Sequence, residues 1–149
     1  MKKRILILCT GNSARSQMAE GLLGSIAGSE FEVESAGTKP GSVRSEAITV
    51  MREIGIDISA QWSKSVDKFA GQEFDVVITV CDNVRGKCPY FPAKTKLIHQ
   101  SFEDPAIVIG NEETRLLAFR RVRDEIESFL NDFCNQQNSQ EYKLSINKS

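Results

Sequence analysis

Ile5 to Leu8 is an unbroken apolar run, the pattern of a strand buried on both faces of a sheet. From Ser16 the period changes, and Met18, Ala19, Leu22, Leu23 and Ile26 mark one face of a helix. Phe31 to Ser35 reads as a second strand, closed by Ala36-Gly37. Val43, Ala47, Val50, Met51 and Ile54 return at helical spacing, and Gly55 stops that helix. Phe74 to Val80 is the strongest strand signal, and Lys96 to Ile98 is a shorter one. From about Glu112, the residues Leu116, Phe119, Val122, Ile126, Phe129, Leu130 and Phe133 form the apolar stripe of a long last helix. Asn135 to Ser149 is polar and without period, which predicts a disordered tail at 135–149 behind a single domain at 1–134.

Strands alternating with helices predict an α/β fold: a parallel sheet with right-handed crossovers and helices on both faces. Such sheets bind ligands outside the carboxyl ends of their strands, at the switch point. Cys9 follows the first strand, Cys81 follows the Phe74–Val80 strand, and Asp104 lies in the loop after the last. Three chemically capable residues are therefore expected at one sheet edge.

Composition narrows the class. The chain has 149 residues and a formal net charge of −1, so no broad attraction for nucleic acid or an anionic membrane is expected. No apolar run reaches the roughly 20 residues of a membrane span. Met1-Lys2-Lys3-Arg4 starts like a signal peptide, but the apolar stretch behind it is too short, which predicts a cytoplasmic protein. Its four cysteines are then expected to be free, catalytic or metal-binding rather than structural disulfides.

The segment Cys9-Thr10-Gly11-Asn12-Ser13-Ala14-Arg15-Ser16 joins a strand to a helix, an arrangement that turns backbone amides and a helix N-terminus toward an anion. It lacks the terminal Gly-Lys-Ser/Thr of a nucleotide-binding loop. It opens instead with a thiol and carries Arg15, whose guanidinium can grip two oxygens of a tetrahedral oxyanion. The same field is expected to lower the pKa of Cys9 and make it a thiolate nucleophile. Asn12 suits a position of positive φ within the loop. The bland alternative is a buried cysteine followed by a surface arginine.

Cys81 and Cys88 flank Asp82 to Lys87, a charged, glycine-containing stretch that reads as exposed and mobile. It can carry Cys88 toward Cys81, or the two can be unrelated loop cysteines. A chain with one histidine and no close Cys-x2-Cys pair is a poor zinc protein, and no metal site is expected. Asp104-Pro105 restricts the aspartate to extended backbone, as in many ordinary turns.

The run CTGNSARSQMAEG (Cys9 to Gly21) resembles the low-molecular-weight protein tyrosine phosphatase superfamily, and within it the thioredoxin-coupled arsenate reductases. Ser35-Ala36-Gly37, Gly55-Ile56-Asp57-Ile58-Ser59, Cys81 through Cys88-Pro89, and Asp104-Pro105-Ala106 extend the likeness over about residues 3–134. The resemblance implies a four-stranded parallel sheet flanked by helices. It implies Cys9 as nucleophile, Asp104 as general acid, and Thr10 to Ser16 as the oxyanion loop. It also implies Cys81 and Cys88 as resolving cysteines in a relay that thioredoxin recycles. No cofactor is implied, and the chain is expected to act as a monomer.

Some positions depart from the relatives. Ala14 stands where many arsenate reductases have a further cysteine, outside the relay. Lys64 stands where some carry an acidic potassium ligand, beside matching Asn12, Glu20 and Ser35, and its ammonium can replace the cation. His99 and Cys134 are expected to have no chemical role. Two rivals stay open: a phosphotyrosine phosphatase using only Cys9, Arg15 and Asp104, and a non-catalytic redox or oxyanion sensor. Ala106 and Ile107 weigh against the phosphatase, whose members tend to present aromatic residues there.

Overall fold

The computed structural model describes residues 2–81 and 96–147. Its strands are β1 (Lys3–Cys9), β2 (Phe31–Gly37), β3 (Val76–Thr79) and β4 (Lys96–His99), and its α-helices are α1 (Arg15–Ala27), α2 (Ser45–Glu53) and α3 (Glu112–Asn147). The strands form one sheet in the order β2-β1-β3-β4, all pairs parallel. This is the four-stranded α/β architecture that the resemblance implies.

The chain leaves β1 to one side for β2 and returns to the other side for β3, so the switch point lies between β1 and β3. Leu8 pairs with Thr79, and the Val80 amide donates to the Leu8 carbonyl at 2.9 Å. That register brings the ends of the Cys9 and Cys81 strands side by side. Beyond β4, the Gln100 amide donates to Thr79 and the Phe102 amide to Val80, at 2.9 and 3.0 Å. These bonds carry the segment before Asp104 back over the same edge.

Ile5, Leu6, Ile7 and Leu8 are buried without exception, as their unbroken apolar run requires. Helix α1 lies on β1 and β2, and α3 packs on α1 and α2. Phe133 of α3 meets Phe31 at 6.0 Å between ring centroids, and Phe129 meets Phe102 at 5.8 Å. Glu53 of α2 takes a bidentate grip from Arg120 (2.7 and 2.9 Å) and a third bond from Arg123 at 3.0 Å.

The last helix continues into the segment expected as a tail. Helix α3 runs on to Asn147, far past the expected end near Cys134, and buries Gln137. A helix already docked by Phe129, Leu130 and Phe133 needs only propagation to lengthen, and Gln, Glu, Lys and Leu residues tolerate that well. Among the described residues, no helix is long and apolar enough to cross a membrane.

Phe119, fully buried on α3, tests this packing. Phe119→Ala is expected to cost about 3–5 kcal/mol in denaturant unfolding; a loss under about 1 kcal/mol would show that α3 is not docked as described.

Candidate active site

The loop from Cys9 to Ala14 has its backbone turned inside out. The carbonyls of Cys9, Thr10, Gly11 and Ser13 accept from the amides of Thr38, Lys39, Gly41 and Arg44 at 2.8–3.3 Å. The Gly11 carbonyl accepts also from the Ser63 hydroxyl at 3.0 Å, and the Asn12 carbonyl from the Gln17 amide side chain at 3.0 Å. With its acceptors occupied on the outside, the loop keeps its N–H groups for the inside.

Asn12 makes this curvature possible. It is fully buried with φ 47°, the left-handed region that asparagine tolerates. Its side-chain NH₂ donates to Ser16 (2.8 Å) and Ser35 (2.9 Å). Its side-chain oxygen accepts from the Lys64 amide (2.9 Å) and from Gln17 (3.0 Å). Close approach is completed by Gly37, where an added Cβ would sit 2.5 Å from the Thr10 carbonyl oxygen.

Lys64 is buried, with its ammonium 3.5 Å from Glu20 and 3.8 Å from Glu34, and it donates to the Trp62 carbonyl at 3.3 Å. Ser35 donates to Glu20 at 2.7 Å. A covalently tethered cation therefore sits among the residues that the resemblance associates with potassium.

Arg15 and Ser16 open α1 below the loop. Arg15 is held by the Phe102 carbonyl at 3.1 Å and lies 3.6 Å from Asp104. Among the described residues its buried Nε has no hydrogen-bond partner, and it is a donor that an oxyanion in the loop would satisfy. Asp104 caps the short turn Pro105–Ile107 by accepting from the Ala106 amide at 3.0 Å, which fixes its aim.

Cys9 and Cys81 are both buried and lie side by side, and the Thr10 hydroxyl lies 3.2 Å from the Cys81 sulfur. Hydrogen bonding to Cys81, and then burial, push the Cys9 thiol well up against the pull of Arg15. Cys81, accepting from Cys9, is brought down to about 5 against the penalty of burial, with Thr10 and Arg15 helping. The two thiols therefore titrate as a pair that shares a proton, with Arg15 pulling both toward the charged form. The sequence offers no signal for this, because it does not show that the sulfurs touch.

The structure thus gathers Cys9, Thr10 to Ser16, Cys81 and Asp104 at one sheet edge, as expected. Cys88 and the Asp82–Lys87 stretch lie outside the described residues. His99 sits on β4 with its ring Nδ1 2.6 Å from the Thr79 hydroxyl. Sequence reasoning missed the part played by Gln17, which donates to both the carbonyl and the side-chain oxygen of Asn12, and by Ser63, which donates to the Gly11 carbonyl.

The chain belongs to the low molecular weight phosphotyrosine protein phosphatase family, whose model matches residues 4–143. Within it, the chain is 45% identical over 133 residues to an arsenate reductase of Halalkalibacterium halodurans, covering 89% of this chain and 96% of that protein. A thioredoxin-dependent arsenate reductase of Corynebacterium glutamicum superposes with TM-score 0.70 at 26% identity, over 93% of this chain and 63% of that one. A low molecular weight protein tyrosine phosphatase of T. tengcongensis superposes with TM-score 0.72 at 25% identity, over 91% and 99%.

Two outcomes are expected. Asn12→Ala strands several buried partners at once, at about 1–3 kcal/mol each, and should lower the melting temperature and weaken phosphate binding together; loss of neither would remove Asn12 from its central place. Thiolate ultraviolet absorbance should show one thiolate per Cys9–Cys81 pair, present at neutral pH and lost as pH falls through about 5. A first midpoint near the ordinary thiol value of about 8.5 would contradict the shared proton.

Proposed function

We propose that this protein is a cytoplasmic arsenate reductase, in which Cys9, Cys81 and Cys88 form a thiol–disulfide relay recycled by thioredoxin. The observation that carries the reading is the buried contact between Cys9 and Cys81. A phosphatase needs one thiol in its cradle, whereas a reductase needs a second within reach of the first.

Arsenate binds to the amides of Thr10 to Ser16 and to Arg15. Cys9 passes its proton to Cys81 and attacks arsenic, forming a sulfur–arsenic bond, while Asp104 protonates the oxygen that departs as water. Cys81 then attacks the Cys9 sulfur and gives up its proton to the arsenic oxyanion. The sulfur–arsenic electron pair stays on arsenic, so As(V) leaves as arsenite and a Cys9–Cys81 disulfide remains. Cys88 attacks Cys81 and frees Cys9, and the dithiol of thioredoxin reduces the Cys81–Cys88 disulfide. Each cycle moves two electrons and needs no metal or organic cofactor.

The cradle also suits phosphate, which shares the shape and charge of arsenate, so a weak phosphatase side activity belongs to the same reading. The sensor alternative has no use for Asp104, which the structure sets against Arg15.

Arsenate should drive NADPH consumption when thioredoxin and thioredoxin reductase are present, and Cys9→Ser should abolish both this and aryl phosphate hydrolysis. Hydrolysis without arsenate-dependent NADPH consumption would leave a phosphatase; neither activity in the folded wild type would leave the sensor.

A further inference from the structure

The segment that carries Asp104 has little apolar anchorage of its own. Phe102 and Pro105 are buried, but Ile107 is 70% exposed and Ile109 is 95% exposed. Glu103 is tied to Arg121 of α3 at 2.6 Å, yet both side chains are more than half exposed and such a pair holds weakly. The far end of the segment is Gly110, at φ +153°, where an added Cβ would press on Thr114 at 3.0 Å. Its carbonyl accepts from Arg115 Nη1 at 2.7 Å.

Arg115 leads to the other side of the site. Its Nε lies 3.7 Å from Glu46 Oε2, and the same oxygen is bound by Arg44 Nη2 at 3.0 Å. The Arg44 amide donates to the Ser13 carbonyl of the cradle at 2.9 Å. The Glu46 side chain is only 12% exposed, so this carboxylate is shielded from the screening that weakens surface pairs. One carboxylate between two arginines therefore joins the wall of the oxyanion cradle to the end of the acid-bearing segment.

We propose that Glu46 is a positioning residue: through Arg44 and Arg115 it fixes the distance between the Cys9–Ser16 cradle and the Asp104–Gly110 segment, and so sets how well Asp104 protonates the departing oxygen. Glu46 touches no substrate in this account. The inference rests on the reductase reading above, since it concerns the acid in that reaction.

Glu46→Gln keeps shape and removes the charge that holds both arginines. It should lower kcat for arsenate about tenfold, within the roughly hundredfold that a misplaced group costs. The inhibition constant of inorganic phosphate should stay within about twofold, because the cradle and Arg15 are untouched. The deciding arm is a double-mutant cycle. In an Asp104→Asn background the Glu46→Gln loss should vanish, and Glu46→Asp should recover part of it in the native background. A merely structural role would lower the rate equally in both backgrounds, or weaken phosphate binding in step, and either result overturns the proposal. So does an unchanged kcat. Should Glu46→Gln melt, Arg115→Gln must show the same dependence on Asp104, and its failure to do so overturns the proposal equally. The single Asp104→Asn variant tests the acid itself, and the wild type tests arsenate turnover, so failure of the reductase reading shows in those arms first.

Discussion

The site depends on one buried asparagine. A loop that turns five successive carbonyls away from its centre cannot be held by its own backbone, which would close into helix or turn. Asn12 supplies the missing constraint, with a left-handed φ and four side-chain hydrogen bonds that reach α1, β2 and the segment before Val66. Gly37 and Ser35 are placed by the same need, since β2 must come close enough to be bonded. Every group in that network is satisfied, so its bonds rigidify the loop instead of straining it.

From this rigid loop the chemistry divides. The loop and Arg15 suit any tetrahedral oxyanion, and they alone do not separate phosphate transfer from arsenate reduction. The separation lies at the β1–β3 switch point, where strand register sets Cys81 against Cys9. In the proposed reaction a short proton transfer between the two sulfurs readies Cys9 and then Cys81 to attack. The same contact that raises Cys9 at rest is what gives its proton somewhere to go.

Much of this was legible in the sequence, for physical reasons. The apolar run Ile5–Leu8 and the stripes of the helices follow from burial, and the convergence of Cys9, Cys81 and Asp104 follows from the topology of parallel sheets. The positive φ of Asn12 was readable because few residues accept it. The roles of Gln17, Ser63 and Glu46 were not, because each rests on polar contacts that show only once the loop and its neighbours are folded together. The coupling of the Cys9 and Cys81 thiols was not readable either, since it depends on which groups touch. The extension of α3 to Asn147 escaped because periodicity reports the face a helix buries, not its length.

The central claim is that the sulfurs of Cys9, Cys81 and Cys88 act in sequence, and trapping the relay at its midpoint tests it most directly. A Cys88→Ser chain given arsenate and no thioredoxin should convert about one arsenate per chain and stop, because no thiol remains to release Cys81. Peptide mass mapping should then find a Cys9–Cys81 disulfide, with Cys134 free. Continuous turnover of this variant with thioredoxin, or an oxidised product lacking the Cys9–Cys81 bond, would contradict the account.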